Sequence, residues 1–126
     1  MIVDTDIIIW YMRGNLKARD LINRLGAFSI SAISYMEIVL GIRNKKELRA
    51  LRQFIIAHGI HCIDVDSEIT ARAIFLLEEY ALSHGMTMGD ALIAATVENC
   101  GETLYTGNSA HFKVLPGFFV KVFRPE

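Results

Sequence analysis

The sequence has few prolines, few cysteines and no excess of charge of either sign. It holds two prolines and two cysteines in 126 residues, and its 13 basic and 14 acidic residues give a net charge of −1. Nucleic-acid-binding proteins are often strongly basic. Any contact with nucleic acid must therefore come from a local patch or from metal, and not from bulk charge.

Long apolar runs are also absent. No stretch reaches the roughly 18 apolar residues that a membrane helix needs. The N-terminal MIVDTDIIIWYMR is interrupted by Asp4 and Asp6 and lacks the basic start of a signal peptide. Cys62 and Cys100 lie outside any CxxC pattern, which suits a reducing compartment, although a disulfide between them stays open. We expect a cytoplasmic protein that does not contact membranes.

The composition is that of a folded domain, with 52% hydrophobic and 21% charged residues. We see no linker, repeat or low-complexity segment, and expect one domain over residues 1–126. Short apolar segments predict strands at 1–3, 27–31, 60–65, 103–106 and 118–123. Helical spacing predicts helices at 7–12, 16–25, 35–42 (capped by Ser34), 46–57, from Asp66 or Ser67 to about 84, and from about Asp90 to 100. This alternation predicts an α/β fold with a mostly parallel sheet.

Polar residues at the carboxyl ends of the strands are the first candidates for a site, because ligands of parallel sheets bind there. Asp4 follows the first strand and Asn108 lies just past the fourth. Glu37 and Asp90 are expected on the first turn or so of two helices, within the apolar segments SYMEIVLG and TMGDALIAA. A carboxylate buried without a partner is costly, so these acids need a cation, a hydrogen-bond cluster or a shared site.

A divalent metal ion would meet that need. Mg²⁺ and Mn²⁺ prefer oxygen ligands and need few carboxylates when they keep their waters and bind substrate phosphate. The alternative is that Asp90 caps a helix, Glu37 is solvated and Asp4 is a turn residue. For each acid taken singly we favour that plainer role, and for the three together we favour the metal site.

Four segments, in order, carry a resemblance to a known family. MIVDT, SAISYMEIVLGI, MTMGDALIAATV and LYTGNSAHFKVLPGF resemble the four motifs of VapC-type PIN domains, and together they span essentially the whole chain. The resemblance implies a Rossmann-like PIN fold and Mg²⁺- or Mn²⁺-dependent cleavage of RNA by the toxin of a type II toxin–antitoxin pair. It also implies a homodimer and inhibition by a small VapB-type antitoxin.

The same resemblance assigns roles to single residues. Asp4, Glu37 and Asp90 match the three family acids that hold metal, and Thr5 matches a hydroxyl residue that supports the site. Asn108 and His111 stand where many relatives carry further acids. Both departures remove negative charge and put a second, tightly held metal ion in doubt.

Asp6 and a basic run have two open interpretations each. Asp6 either caps the first helix, which we favour, or joins the site at a distance. A basic run on a predicted helical region either follows RNA phosphates or forms a solvated face, which we also favour; it comprises Arg43, Lys45, Lys46, Arg49 and Arg52.

Two other functions compete with the ribonuclease. Asp4-Thr5-Asp6 and Gly89-Asp90 imitate motifs of haloacid-dehalogenase-type phosphatases. That chemistry needs a lysine beside the phosphoryl group, none occurs between Lys46 and Lys113, and Glu37 would have no role. Alternatively, the loss of two family acids leaves a catalytically weak PIN-like module that binds RNA or a partner.

Overall fold

A five-stranded, wholly parallel sheet lies at the centre of the chain and is flanked by six α-helices. The computed structural model describes all residues, Met1–Glu126. The strands are β1 (Ile2–Val3), β2 (Ser29–Ser31), β3 (His61–Ile63), β4 (Leu104–Thr106) and β5 (Val120–Val122), arranged in the order β3-β2-β1-β4-β5. The helices are α1 (Thr5–Met12), α2 (Leu16–Leu25), α3 (Ala32–Leu40), α4 (Lys45–Ala57), α5 (Ser67–His84) and α6 (Met88–Cys100). None of them combines the length and the apolar character that crossing a bilayer requires.

The core lies in two layers, one on each face of the sheet. Successive strand residues point to opposite faces, and both residues of the central strand β1 are fully buried. Ile2 packs with Leu104 against α5 and α6, whereas Val3 packs against the apolar faces of α1 to α4. Burial on both faces explains why the central strand β1 is wholly apolar.

The parallel α/β fold is confirmed, with differences at the ends of elements. All five strands are one to three residues shorter than predicted. Helix α3 begins after Ser31, whose hydroxyl accepts a hydrogen bond from the Ile33 amide at 3.0 Å. The prediction that Ser34 caps this helix was wrong, because Ser34 is the third helical residue and is fully buried. The segment 107–117, predicted as a loop, contains a 3₁₀ turn, Ser109–Phe112.

The apolar run at the start of the chain completes the core. Ile7 and Ile8 are fully buried, and Ile9, Trp10 and Tyr11 are half-buried and pack on the same cluster. This run therefore contributes mainly to the core, and its partly exposed members contribute little apolar surface. Both cysteines are free thiols, so the disulfide left open by the sequence does not form.

Candidate active site

Asp4 lies at the carboxyl end of the central strand and is 6% exposed. It is the N-cap of α1 and accepts hydrogen bonds on both carboxylate oxygens. The Thr5 amide donates to Oδ1 at 2.7 Å and the Thr106 hydroxyl donates to Oδ2 at 2.6 Å. Burial raises the pKa of Asp4 from 3.8 to about 6; the Thr106 bond lowers it in part, and the nearby charges of Asp6 and Glu37 raise it further.

Glu37 is connected to Asp4 through Thr5. The Thr5 hydroxyl donates to Glu37 Oε1 at 2.6 Å, so one residue contacts both carboxylates. Glu37 is an exposed residue on the second turn of α3, one turn later than predicted. Its other oxygen, Oε2, lies where a Cβ on Gly89 would approach it to 2.8 Å. Gly89 therefore leaves room for the Glu37 carboxylate beside the start of α6.

Asp90 follows Gly89 in the first turn of α6, and Thr87 is the helix cap. Asp90 Oδ2 lies 3.3 Å from Nδ1 of His111, and the Asp90 side chain is 20% exposed. The structure therefore links Asp4 to Glu37 through Thr5, and brings Glu37 beside Gly89, next in sequence to Asp90. It does not gather the three into one ready-made cage, since no three His, Cys, Asp or Glu side chains are grouped to hold a metal ion.

Asp6 belongs to the same edge of the sheet. The N-cap role favoured for it was wrong, because Asp4 caps α1. Asp6 Oδ2 instead accepts a hydrogen bond from the Gly107 amide at 2.9 Å, while its Oδ1 is buried without a partner. Burial raises the pKa of Asp6. A Cβ on Gly107 would collide with this carboxylate, so any larger residue there would force the Asp6 side chain to shift.

Thr106 is the residue that sequence reasoning missed. It is fully buried at the end of β4, donates to Asp4 and accepts a hydrogen bond from the Asn108 amide at 2.9 Å. The sequence does show a hydroxyl residue at the end of this strand. Its hydrogen-bond partner could not be predicted, because it depends on β4 lying beside β1. Asn108 itself is exposed, and its side chain makes no cap hydrogen bond.

An open cavity of about 480 Å³ adjoins Asp90 and His111. Apolar and basic side chains share its wall; Met86 and Val114 represent the first kind and His84 and Lys113 the second. A concave surface with an apolar wall and a few polar groups is typical of a ligand site. Of the four acids, Asp90 alone lines this space, which is large enough for part of a substrate.

The donor set at this edge fits a hydrated divalent cation. None of the four acids, Asp4, Asp6, Glu37 and Asp90, forms a salt bridge with lysine or arginine; only His111 faces one of them. Two of the carboxyl groups have raised pKa values because burial disfavours their charge. Mg²⁺ keeps several waters and needs only one or two carboxylates plus substrate phosphate, so a loose arrangement of oxygens suits it.

Comparison with known proteins finds similarity over nearly the whole chain. The family model described as "PIN domain" matches residues 1–116. The curated protein Ribonuclease VapC10 of Mycobacterium tuberculosis is 31% identical over 134 aligned positions, which cover 100% of this chain and 98% of the relative.

Solved structures share the fold over nearly the whole chain. A toxin–antitoxin complex from Klebsiella pneumoniae contains a chain with a TM-score of 0.75 and 27% identity, and the match covers 99% of this chain and 97% of that one. A DNA-bound VapBC complex from Salmonella typhimurium contains a chain with a TM-score of 0.82 and 21% identity, covering 96% of each chain.

Proposed function

The chain belongs to the PIN-domain family, and from that premise we propose that it is a Mg²⁺- or Mn²⁺-dependent endoribonuclease, the toxin of a VapBC-type pair. The observation that carries the proposal is the burial of Asp4 among other acids. A carboxylate that is 6% exposed, near two further acids and without a basic partner gains from binding a cation, because the ion offsets the cost of its buried charge. The relative named as a ribonuclease supports RNA as the substrate.

In this proposal Asp4, Glu37 and Asp90 hold the ion. When bound, the ion supplies a Lewis acid that activates water and offsets the charge developing on a phosphodiester. Thr106 and the Thr5 amide fix both oxygens of Asp4, and the Thr5 hydroxyl orients Glu37. These hydrogen bonds hold the oxygens in place before substrate arrives, which is what electrostatic preorganisation requires.

The replacements at Asn108 and His111 shape the same site. Asn108 brings no charge, and His111 faces Asp90 at 3.3 Å, at a position where the family resemblance implies an acid in many relatives. Fewer carboxylates lower the affinity for a second cation, so we propose that the site works with one ion. His111 also lines the 480 Å³ cavity, where its ring can contact the substrate.

Cleavage of RNA by the purified chain tests the proposal. Wild type should cleave single-stranded or looped RNA with Mg²⁺ or Mn²⁺ and stop when chelator is added. Asp4→Asn and Asp90→Asn should each lower the rate by orders of magnitude, because they remove charge that holds the ion. Asp64→Asn is the matched control: it removes one exposed carboxylate outside the site and should leave the rate unchanged.

The competing functions give different results in the same assay. Equal cleavage by wild type and both site variants would reveal a contaminating nuclease. Metal-dependent hydrolysis of a small phosphate ester, without RNA cleavage, would favour the phosphatase. RNA binding without cleavage would favour the PIN-like binding module.

We place the antitoxin in a groove of about 520 Å³ between α1, the end of α3 and α4. Ile9 and Ile38 line the groove, and they lie about one turn or less from Thr5 and Glu37 on the same two helices. A tail seated there would reach the acids, and an arginine on it would pair with them and compete with metal. Coexpression with the neighbouring small reading frame should give a stable complex that does not cleave RNA; full activity of the chain in that mixture would refute the assignment.

The proposed homodimer rests on apolar surface elsewhere. Leu40 is 86% exposed, Met88 69% and Met36 56%, and all three lie on α3 or at the start of α6. Such a patch suits an interface between copies, and Leu40→Asp should then yield monomers in sedimentation. We further propose that residues 1–126 form a single PIN domain that works in the cytoplasm, where its RNA substrate is found.

A further inference from the structure

A second cleft, of about 320 Å³, lies between α2 and the end of β5. Tyr105 and Phe123 form its aromatic wall, and Lys17, Arg24 and Arg124 line it with positive charge. Lys17 and Arg24 are seven positions apart on α2, so both project from one face of that helix. The cleft therefore combines three cations with the partly exposed side chain of Tyr105, whereas Phe123 is 5% exposed.

The charges of the cleft are not neutralised within the chain. Asp20 is the one acid in the wall, and none of the three cations takes part in a salt bridge. The local net charge is thus positive, although the chain as a whole carries −1. Positive charge on a concave surface concentrates its field and attracts anions.

Backbone hydrogen bonds tie this cleft to the candidate active site. The Thr106 hydroxyl holds Asp4, and the Thr106 carbonyl accepts from the Phe123 amide at 2.8 Å. Arg124 is the next residue. The segment is fixed again beyond it, because the Asn15 side chain donates to the Pro125 carbonyl at 3.0 Å. Arg124 is therefore held between two anchored residues at the same edge of the sheet.

We propose that this cleft binds the RNA strand beside the scissile bond, with the cations on backbone phosphates and a base against Tyr105. The inference rests on the proposed ribonuclease function and adds a subsite to it. Aromatic stacking and phosphate contacts are the two interactions by which proteins hold single-stranded nucleic acid. An aromatic wall with three free cations supplies both.

The basic run on α4 has a different form. Lys45, Lys46, Arg49 and Arg52 are exposed on a helix surface, and Arg43 is already paired with Glu47 at 2.9 Å. They line no comparable concave surface with an aromatic wall. We therefore assign the RNA contact to the α2 cleft, and the α4 run keeps its role as a solvated face.

Three charge reversals on one helix test the assignment. Lys17→Glu and Arg24→Glu alter the cleft, and Arg19→Glu is the matched control, since Arg19 is exposed on α2 but does not line the cleft. A negative charge favours the start of a helix and disfavours its end. Lys17→Glu should thus stabilise α2 and Arg24→Glu should destabilise it. If both variants bind RNA more weakly, the cause cannot be a change in the stability of this helix. Circular dichroism checks the fold of each.

Binding of a labelled 12-nucleotide single-stranded RNA is measured with chelator present, so that the readout does not depend on cleavage. Each cleft variant should bind about tenfold more weakly at 0.1 M salt. The slope of log affinity against log salt should fall by about 0.7 in magnitude for each phosphate that the variant no longer neutralises. Arg19→Glu should match wild type in both measurements.

The outcomes separate this inference from the proposed function. Unchanged RNA binding by both cleft variants overturns the subsite, even if wild type cleaves RNA. Weaker binding by both, from a chain that never cleaves RNA, keeps the subsite and rejects the nuclease. If a ten-residue polyglutamate peptide binds wild type, fails to bind the cleft variants, and RNA binding is unchanged, the cleft serves a protein partner and the inference is wrong.

Discussion

Asp4 should make the stability of the metal-free protein depend on pH. Its pKa rises from 3.8 to about 6 because burial disfavours the charged form. Between these two values the folded state holds a proton that the unfolded state has released. Stability from this group is therefore greatest in acid, falls as the pH rises from about 4 to about 6.5, and is constant above that.

The size of the effect follows from the difference in pKa. One pKa unit corresponds to about 1.4 kcal/mol, so ionised Asp4 costs the folded state roughly 3 kcal/mol at neutral pH. Asp4→Asn removes the charge and keeps the shape. The amide loses one acceptor oxygen, which costs about 1 kcal/mol at every pH. The difference in unfolding free energy between variant and wild type should thus shift by roughly 2–3 kcal/mol in favour of the variant between pH 4 and pH 7.5.

Urea denaturation with chelator at both pH values measures this difference. Subtracting the unfolding free energy of wild type from that of the variant cancels the contributions of the acids that both proteins contain. The same difference at pH 4 and pH 7.5 would refute the reasoning, since Asp4 would then titrate as an ordinary exposed acid. At pH 7.5 added Mg²⁺ should raise the midpoint of wild type and leave that of Asp4→Asn nearly unchanged.

Three further substitutions probe the geometry around this carboxylate. Thr106→Val removes the donor to Asp4 and the acceptor of the Asn108 amide; it should cost roughly 1–3 kcal/mol in urea denaturation and raise the pKa of Asp4 further, and unchanged values would contradict the hydrogen bonding. Gly89→Ala places a methyl carbon 2.8 Å from Glu37 Oε2; activity should fall at least tenfold at unchanged or higher melting temperature, because alanine favours the helix by up to about 1 kcal/mol, and full activity would show that Glu37 can move without consequence. Asn108→Asp restores a family acid and should lower the Mg²⁺ concentration needed for half-maximal cleavage; an unaltered titration would place Asn108 outside the coordination sphere.

Local patterns predicted the order of elements and the placement of Asp4. The orphan amides of the first turn need an acceptor nearby in sequence, so an acid close to the end of the strand was expected to cap α1. That pattern did not decide between Asp4 and Asp6, and the favoured Asp6 was wrong. Asp66 and Gly85 bounded α5 through local signals of the same kind, the first as N-cap and the second in the left-handed conformation at φ 64°. Such signals depend on neighbours within a few residues, and a single sequence displays them.

Contacts between distant segments were beyond that reasoning. Thr106 meets Asp4 only because β4 pairs with β1, and no local pattern fixes the order of strands in a sheet. The close approach of Gly89 to Glu37 likewise depends on how α3 packs against α6. The N-cap of α3 shows a related limit: Ser31 and Ser34 are both acceptable caps by type, and the length of β2 decides between them.

The near-neutral charge of the chain conceals a separation of charge along one edge of the sheet. Asp4, Asp6 and Glu37 gather where β1 and β4 end, and basic groups lie on either side, with Lys113 in the cavity near Asp90 and Arg124 in the α2 cleft. Bare acids would repel an RNA phosphate, whereas the same acids with a divalent cation attract it. The flanking cations act on the neighbouring phosphates in either case. Under the proposed function, RNA affinity should therefore depend on metal at the centre of this edge and on salt at its sides, and in this way a protein without a basic composition would hold a polyanion.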